Sequence, residues 1–433
     1  MANWNSNWWS QPCVTSVMRT SWVCHISGLC GVLCSNVRSA IGVTVSVRCR
    51  VVIIGAGYAG VMAANRLAGS PRLSDSISVT VINPISDFVE RIRLHEVAAG
   101  SRQSARVPMR SLLHERADLV EGTASRIDPE NHYVHISGGR EPLDYDVLLY
   151  AVGSIQASGK IPAGAYALKD PEDANRLRAR LSQLDPGSTV SIIGAGLTGI
   201  EVTAEIAEKY PRLRVYLISQ GAIAGSLSGS GRHAVMKRLS GLGVEMIENT
   251  DVQGCDDSSV ITSGGDTLRS DCTIWTAGFS APILARDSGL PTDALGRLMV
   301  DESLSCPQFP DIFGAGDAIQ APQSVAGHLR MSCATALPLG AHAADSIMAR
   351  LDRRAPAPLS VGYVLRCISL GRNSGLVQTV RADDQPRRFV LRGRLAATVK
   401  AQMCQMTLSY IRGELRRNGS YSWPKGPRPA EAK

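Results

Sequence analysis

Apolar positions in this chain gather into two short runs that each end in glycine. VVIIGAGYAG (residues 51–60) places Gly55, Gly57 and Gly60 straight after an aliphatic run, and VSIIGAGLTG (residues 190–199) does the same with Gly194, Gly196 and Gly199. Runs of this length bounded by turn residues predict buried strands. Beyond Gly55, Ala59, Met62, Ala63 and Leu67 recur at helical spacing; beyond Gly194, Ile200, Ala204 and Ile206 do so less cleanly. Both units close alike. Leu143, Asp146 and Gly153 have the same spacing as Leu268, Asp271 and Gly278, at the ends of LLYAVG and TIWTAG. Agreement at entrance and exit marks an internal duplication. It predicts an α/β fold with two tandem Rossmann-like dinucleotide-binding domains.

Each glycine has a task in such a unit. The first permits the tight strand-to-helix turn, the second lets backbone N–H groups approach a pyrophosphate, and the third lets helix and strand pack closely. The phosphate then rests on a helix N-terminus. One motif alone would suit any glycine-rich turn; the pair is harder to explain without two nucleotides.

Other patterns set boundaries. Asp170-Pro171 predicts a helix start, with Leu177 and Leu181 inward and a stop at Asp185-Pro186-Gly187. PDIFGAGDA (residues 310–318) reads as a strand ending at Gly316-Asp317. Pro356 and Pro358 punctuate the chain near the start of a C-terminal domain placed at residues 353–433, whose basic part is residues 360–425. There Leu395, Val399, Met403, Met406 and Tyr410 predict an amphipathic helix over 394–417, with Arg394, Lys400, Arg412, Arg416 and Arg417 outside the stripe. Such a helix packs on its own protein or docks on a membrane surface.

Composition narrows the class. A length of 433 residues suits two or three domains, and 44% hydrophobic with 19% charged is globular. No uninterrupted apolar stretch is long enough to span a bilayer. The net charge of +8 is spread along the chain, with no nucleic-acid motif behind it. Eleven cysteines at irregular spacing, without CxxC, argue against a zinc site or a disulfide framework, and a cytoplasmic, reducing location is expected. No metal is expected. Residues 1–48 hold four of the six tryptophans and no Asp or Glu; they are expected to be a disordered or spurious extension outside the fold.

GAGYAG, INPISDFVERIRLHEVAAG, GAGLTGIE, IWTAGF, FGAGDA, MSCATALPLGAHAAD and SLGRNSGLVQ together resemble the FAD-dependent NAD(P)H oxidoreductases related to type II NADH dehydrogenases, in the pyridine nucleotide-disulfide oxidoreductase superfamily. The resemblance covers about residues 49–412. It implies an enzyme that passes hydride from NAD(P)H to FAD and electrons on to a quinone or another small acceptor. It implies FAD on residues 49–155 with 286–352, held by Gly55, Ala56, Gly57, Gly60, Asn83, Gly153, Gly316, Asp317 and Ala336. NAD(P)H is implied on residues 156–285, held by Gly194, Gly196, Gly199, Ser219 and Gly278. Asp317 is implied to bond the ribityl chain, and Glu201 to face flavin and substrate as the catalytic residue; a carboxylate stabilising its helix N-terminus is the plainer alternative.

This chain departs from the family pattern in three places. Asn83 stands where an acid usually holds the FAD ribose. Ser219-Gln220 stands where an acid would reject a 2′-phosphate, which leaves NADH and NADPH both open. Ala334 to Gly340 lacks the glutamines of the quinone-contacting helix, which weakens quinone as acceptor. No redox cysteine pair follows the first helix; Cys333 and Cys367 could meet as the two separated cysteines of sulfide:quinone reductases do, but they read rather as small buried hydrophobes. The alternative to an enzyme is a flavin-bearing, redox-responsive regulatory protein. Peripheral contact with the inner face of a membrane and a homodimer also stay open.

Overall fold

Val51 to Ile54 form the inner part of strand β1 (Cys49–Ile54), buried on both faces as a central parallel strand must be. The computed structural model describes residues 48–73, 75–156 and 161–427; the expected N-terminal extension, but for Arg48, lies outside them. From β1 the chain turns into helix α1 (Tyr58–Ala68) and returns as β2 (Ile77–Asn83), parallel to β1. Residues 84–113 leave the sheet as an arm carrying helix α2 (Leu94–Ala98). β3 (Ala117–Glu121) then pairs with β2, and β4 (Val147–Tyr150) pairs with the other side of β1.

The second sheet repeats the plan. Its elements are β5 (Ala165–Tyr166), helix α3 (Pro171–Ser182), β6 (Thr189–Ile193), helix α4 (Leu197–Lys209), β7 (Arg214–Ile218), helix α5 (Gly229–Gly241), β8 (Glu245–Ile247) and β9 (Cys272–Trp275). All five strands are parallel, in the order β5-β9-β6-β7-β8. β10 (Ile312–Gly314) then rejoins the first sheet outside β4, giving the parallel order β10-β4-β1-β2-β3. That return brings Gly316-Asp317 to the carboxyl ends of β1 and β4. The expected α/β fold with two Rossmann-like units is what the chain adopts.

The repeated exit motif has a mechanical use. Asp146 accepts the Arg50 backbone N–H at 2.7 Å, and Asp271 accepts that of Thr189 at 2.8 Å. In each unit the acid before the last strand therefore pins the beginning of the first. Asp170 accepts from the Asp173 N–H at 2.7 Å and caps α3 as predicted.

Packing crosses the chain ranges. Leu94, Val97, Ala98 and Ala105 of the arm enter the core of the second unit with Leu177, Ile200 and Ala204. Ile368, Leu370 and Leu376 join them from a three-stranded antiparallel sheet of β11 (Leu365–Ser369), β12 (Gly375–Val380) and β13 (Pro386–Gly393). Helix α6 (Cys333–Leu351) lies along α1. Helix α7 (Arg394–Arg416) closes the described chain, packed on α1, β11 and β12.

The expectation for α7 needs correction. Its buried stripe is Ala396, Cys404, Thr407, Leu408, Ile411 and Glu414, one position on from the predicted one. Leu395 is 70% exposed, and Val399, Met403, Met406 and Tyr410 only flank the buried face. Lys400, expected outside, points inward. The reason is chemical: that face of α7 covers buried acids as well as apolar residues, so a cation and a thiol belong on it.

Contact between α1 and α6 depends on Gly340. A Cβ there would lie 2.2 Å from the Ala59 carbonyl oxygen, which is backbone and cannot swing away. Gly340→Ala should lower unfolding free energy by about 1–3 kcal/mol, the range of an overpacked core. Equilibrium denaturation checks this; a variant as stable as the parent would show that the helices are not so close.

Candidate functional site

Both glycine-rich turns use one geometry. Gly55 and Gly194 have φ of +100° and +102°, a region that side chains other than glycine rarely enter. A Cβ on Gly60 would lie 1.9 Å from the Gly55 carbonyl oxygen, and one on Gly199 1.8 Å from that of Gly194. These two allow helix and strand to touch. Gly57 and Gly196 differ, because a Cβ on either would meet nothing within 4 Å. They are the N-cap residues of α1 and α4, and neither helix has a side-chain cap. Each helix thus presents uncapped N–H groups and a positive dipole end to open space, an arrangement suited to a pyrophosphate.

Around the first turn the chain adds polar groups. Asn83 follows from the end of β2: its Oδ1 accepts the Ala56 N–H at 3.0 Å, and its Nδ2 donates to the Ile85 carbonyl at 2.7 Å. The side chain braces the turn and keeps acceptor capacity for a hydroxyl. Asp317 is half-buried; its carboxylate accepts from Ser154 Oγ at 2.9 Å and from the Ser332 N–H at 3.0 Å. Burial pushes its pKa up, against the pull of Ser154, Arg91 and the Ser332 amide. Gly153, with φ of +70°, precedes Ser154. Ala336 lies on the first turns of α6, and a Cβ on Gly316 would sit 3.9 Å from its methyl. Gly316 and Asp317 line a cavity of about 140 Å³ with Arg297, Gln320, Gln323 and Arg330.

Around the second turn, Gly278 has φ of +75°, and Ser219 follows β7 with its side chain half-buried. Thr198 and Thr276 line a crevice with Arg91, Gln156, Lys169 and Phe279. Arg91 belongs to both sites, because its guanidinium also donates to the Ser154 carbonyl at 2.7 Å.

Glu201 stands on the second turn of α4, 7% exposed. Its carboxylate does not serve the N-terminal amides of α4. It meets Lys400 Nζ at 2.9 Å and the Ser369 N–H at 3.0 Å, with His95 Nδ1 at 3.8 Å. Burial alone would raise the Glu201 pKa, but Lys400, His95 and the Ser369 amide hold it below the ordinary carboxylate range. Burial opposes the charge on Lys400 as well, and Glu201 outweighs it and lifts that pKa. Burial lowers the His95 pKa against the pull of Glu201 and Glu96, and its Nε2 has no hydrogen-bond partner among the described residues. One turn on, Glu205 is held by Arg372 Nε at 2.7 Å, and Arg372 also reaches Glu96 at 3.0 Å. The thiol of Cys333, first residue of α6, is pushed up to about 11 by burial, with Lys400 pulling it down and Cys404 and Asp317 adding to the rise.

The residues missed in the sequence are Arg91, His95, Ser154, Ser369 and Lys400. The only signal for the first two was the segment ERIRLHE, and Lys400 was hidden among surface cations.

The sequence profile of the family described as pyridine nucleotide-disulphide oxidoreductase matches residues 49–332. The NADH dehydrogenase-like protein Rv1812c of Mycobacterium tuberculosis is 30% identical, over 81% of this chain and 92% of that one. The type II NADH:quinone oxidoreductase Ndh of the same organism is 27% identical, over 62% of this chain and 67% of that one. Among solved structures, the sulfide:quinone oxidoreductase of Aquifex aeolicus shares the fold with a TM-score of 0.73 at 18% identity, covering 84% of this chain and 92% of its own.

Removing Lys400 tests the buried pair. Lys400→Met strands a buried carboxylate and should cost about 3–5 kcal/mol at neutral pH. In the parent, the depressed Glu201 pKa gives stability that is present above about pH 4.3 and lost as pH falls through the folded value. Without Lys400, burial raises that pKa, so the folded variant gains a proton on Glu201 or on His95. Its deficit should then shrink as pH falls from about 7 toward 5. Urea titrations at several pH values check this, and a deficit independent of pH would remove the ion pair from the account.

Proposed function

The chain belongs to the pyridine nucleotide-disulphide oxidoreductase family, and from that premise we propose that it is an NADH dehydrogenase-like flavoenzyme, oxidising NADH through FAD and passing the electrons to a small acceptor, quinones included. The observation that carries this reading is the pair of glycine turns with matching geometry, each open at its second glycine. The name of the 30%-identical relative supports the enzyme class, and that of the 27%-identical relative supports a quinone acceptor.

We assign FAD to residues 49–155 with 286–352, and NADH to residues 156–285. The open Gly57, the braced Asn83 and the half-buried Asp317 are the groups that a flavin dinucleotide would use there. Bound there, FAD supplies a ring that takes up a hydride and releases electrons. The protein's own groups position and shield. Gly57 and Gly196 leave room for the two pyrophosphates, Asp317 offers acceptors to ribityl hydroxyls, and Arg91 links the two sites through Ser154. Glu201 and Lys400 hold one proton between two buried bases, with Glu201 two residues past Gly199 of the second turn, and that proton can answer a change of charge. Cys333 and Cys367 are poorly suited to share the redox work: burial pushes both up to about 11, and a protonated thiol is a poor nucleophile.

No helix among the described residues is long and apolar enough to cross a membrane. A peripheral contact fits the corner where β13 meets α7. Phe389 (63% exposed) and Leu395 (70%) stand there among exposed Arg387, Arg388, Arg392 and Arg394. Cations near an anionic leaflet contribute about 1 kcal/mol each, so binding to anionic liposomes should be salt-sensitive and weaker in Phe389→Ser/Leu395→Ser. Flotation that is unchanged in this variant would move the contact elsewhere.

The glycines separate the two cofactor sites. Because a Cβ at Gly57 or Gly196 meets only open space, leucine there should leave the fold intact and fill the cradle. Gly57→Leu should lose FAD absorbance and match the parent apoprotein in melting temperature. Gly196→Leu should keep FAD and lose its bleaching by NADH. Reoxidation of the reduced parent by a soluble quinone should be rapid; a flavin that bleaches but waits on oxygen alone would favour a redox-responsive regulatory protein.

A further inference from the structure

The second glycine turn lacks the group that usually rejects a phosphorylated ribose. In such folds an acid just past the second strand bonds the ribose hydroxyl and repels a 2′-phosphate. Here β7 ends at Ile218 and is followed by Ser219, Gln220 and Gly221. Ser219 is held in place by its backbone, donating to the Ile247 carbonyl and accepting from the Thr250 N–H, both at 2.9 Å. Its side chain is half-buried, Gln220 is exposed, and a Cβ on Gly221 would meet nothing within 4 Å.

An acid does stand nearby, at the end of the next strand, but it is already engaged. Glu248 accepts Arg232 Nη2 on both oxygens, at 2.7 and 2.8 Å, and the Ile223 N–H besides. Arg232 also donates Nε to the Ile223 carbonyl at 3.1 Å, which anchors it to the loop that begins at Ser219. Its Nη1 makes no hydrogen bond among the described residues, and its side chain is 38% exposed. This end of the site therefore offers a neutralised acid, a free guanidinium donor, a hydroxyl and an amide.

We propose that the second glycine turn accepts NADPH at least as readily as NADH, the 2′-phosphate being taken by the Ser219 hydroxyl, the Gln220 amide and Nη1 of Arg232. This rests on the reading of that turn as the nicotinamide-nucleotide site. Three donors, one of them charged, compensate a phosphate that meets no opposing carboxylate.

Calorimetry on the FAD-loaded protein with 5′-AMP and 2′,5′-ADP isolates the one phosphate in question. The parent should bind 2′,5′-ADP at least as tightly as 5′-AMP. Ser219→Glu should weaken 2′,5′-ADP by about tenfold or more while leaving 5′-AMP unaffected or tighter. Arg232→Gln/Glu248→Gln, which removes the cation without exposing the acid, should weaken 2′,5′-ADP several-fold and spare 5′-AMP. A parent that prefers 5′-AMP by tenfold, or a Ser219→Glu variant with unchanged ratio, overturns the proposal and leaves the nucleotide site standing. Failure to bind either mononucleotide or NADH overturns both.

Discussion

The acidic face of α4 governs how the molecule closes. Glu201 and Glu205 sit one turn apart on a helix with no exposed side between Gly199 and Ala207. Two buried carboxylates cost several kcal/mol each unless cations reach them. Both cations come from far along the chain, Lys400 from α7 and Arg372 from the β11–β12 loop. The second nucleotide unit is therefore electrostatically complete only when the C-terminal segment has folded back on it. The arm from the first unit adds His95, and Arg93 and Arg372 share Glu96. Three stretches of chain meet at one helix face, and their apolar residues fill the same core.

The two units solve the same local problem with the same residues and then diverge at the ribose end. Each needs a left-handed turn, an open N-cap and a close helix–strand contact, and glycine meets all three. Each also needs its first strand held at the right height, which Asp146 and Asp271 do. The two units differ at the end of the second strand. In the first unit Asn83 ties the turn to Ile85; in the second, Ser219 is tied through its backbone, and its side chain makes no hydrogen bond among the described residues. The duplicated parts are those that shape the glycine turn, and the unmatched parts lie at the end of the second strand, where a nucleotide's ribose would be read.

Local rules were legible in the sequence and long-range ones were not. The glycine turns, the α3 cap and the repeat of Leu, Asp and Gly at each exit follow from steric and hydrogen-bonding needs of adjacent residues. The weak periodicity after Gly194 has its cause in α4 being buried all round, with polar residues on the face that meets α2 and β11. Lys400 could not be told from the surface arginines of α7, because its inward direction is set by Glu201, nearly two hundred residues away. The same holds for Arg91, whose partner Ser154 lies beyond β4. A stripe drawn from hydrophobicity alone missed the buried face of α7 by one position, since that face carries Lys400, Cys404 and Glu414 among its small and apolar residues.

The thiols show how that one ion pair shapes the chemistry left to the protein. Cys333, Cys367 and Cys404 all feel Lys400, and a free ammonium in that position would favour thiolates. All three are instead pushed up, because burial is the larger effect and Lys400 is committed to Glu201 at 2.9 Å. In a family named for disulphide chemistry, burial holds these three thiols above their ordinary range while Lys400 stays paired with Glu201. In the enzyme proposed above, electrons entering at the second glycine turn would leave through the flavin, and Glu201, on the helix that begins at that turn, forms the buried charge pair with Lys400.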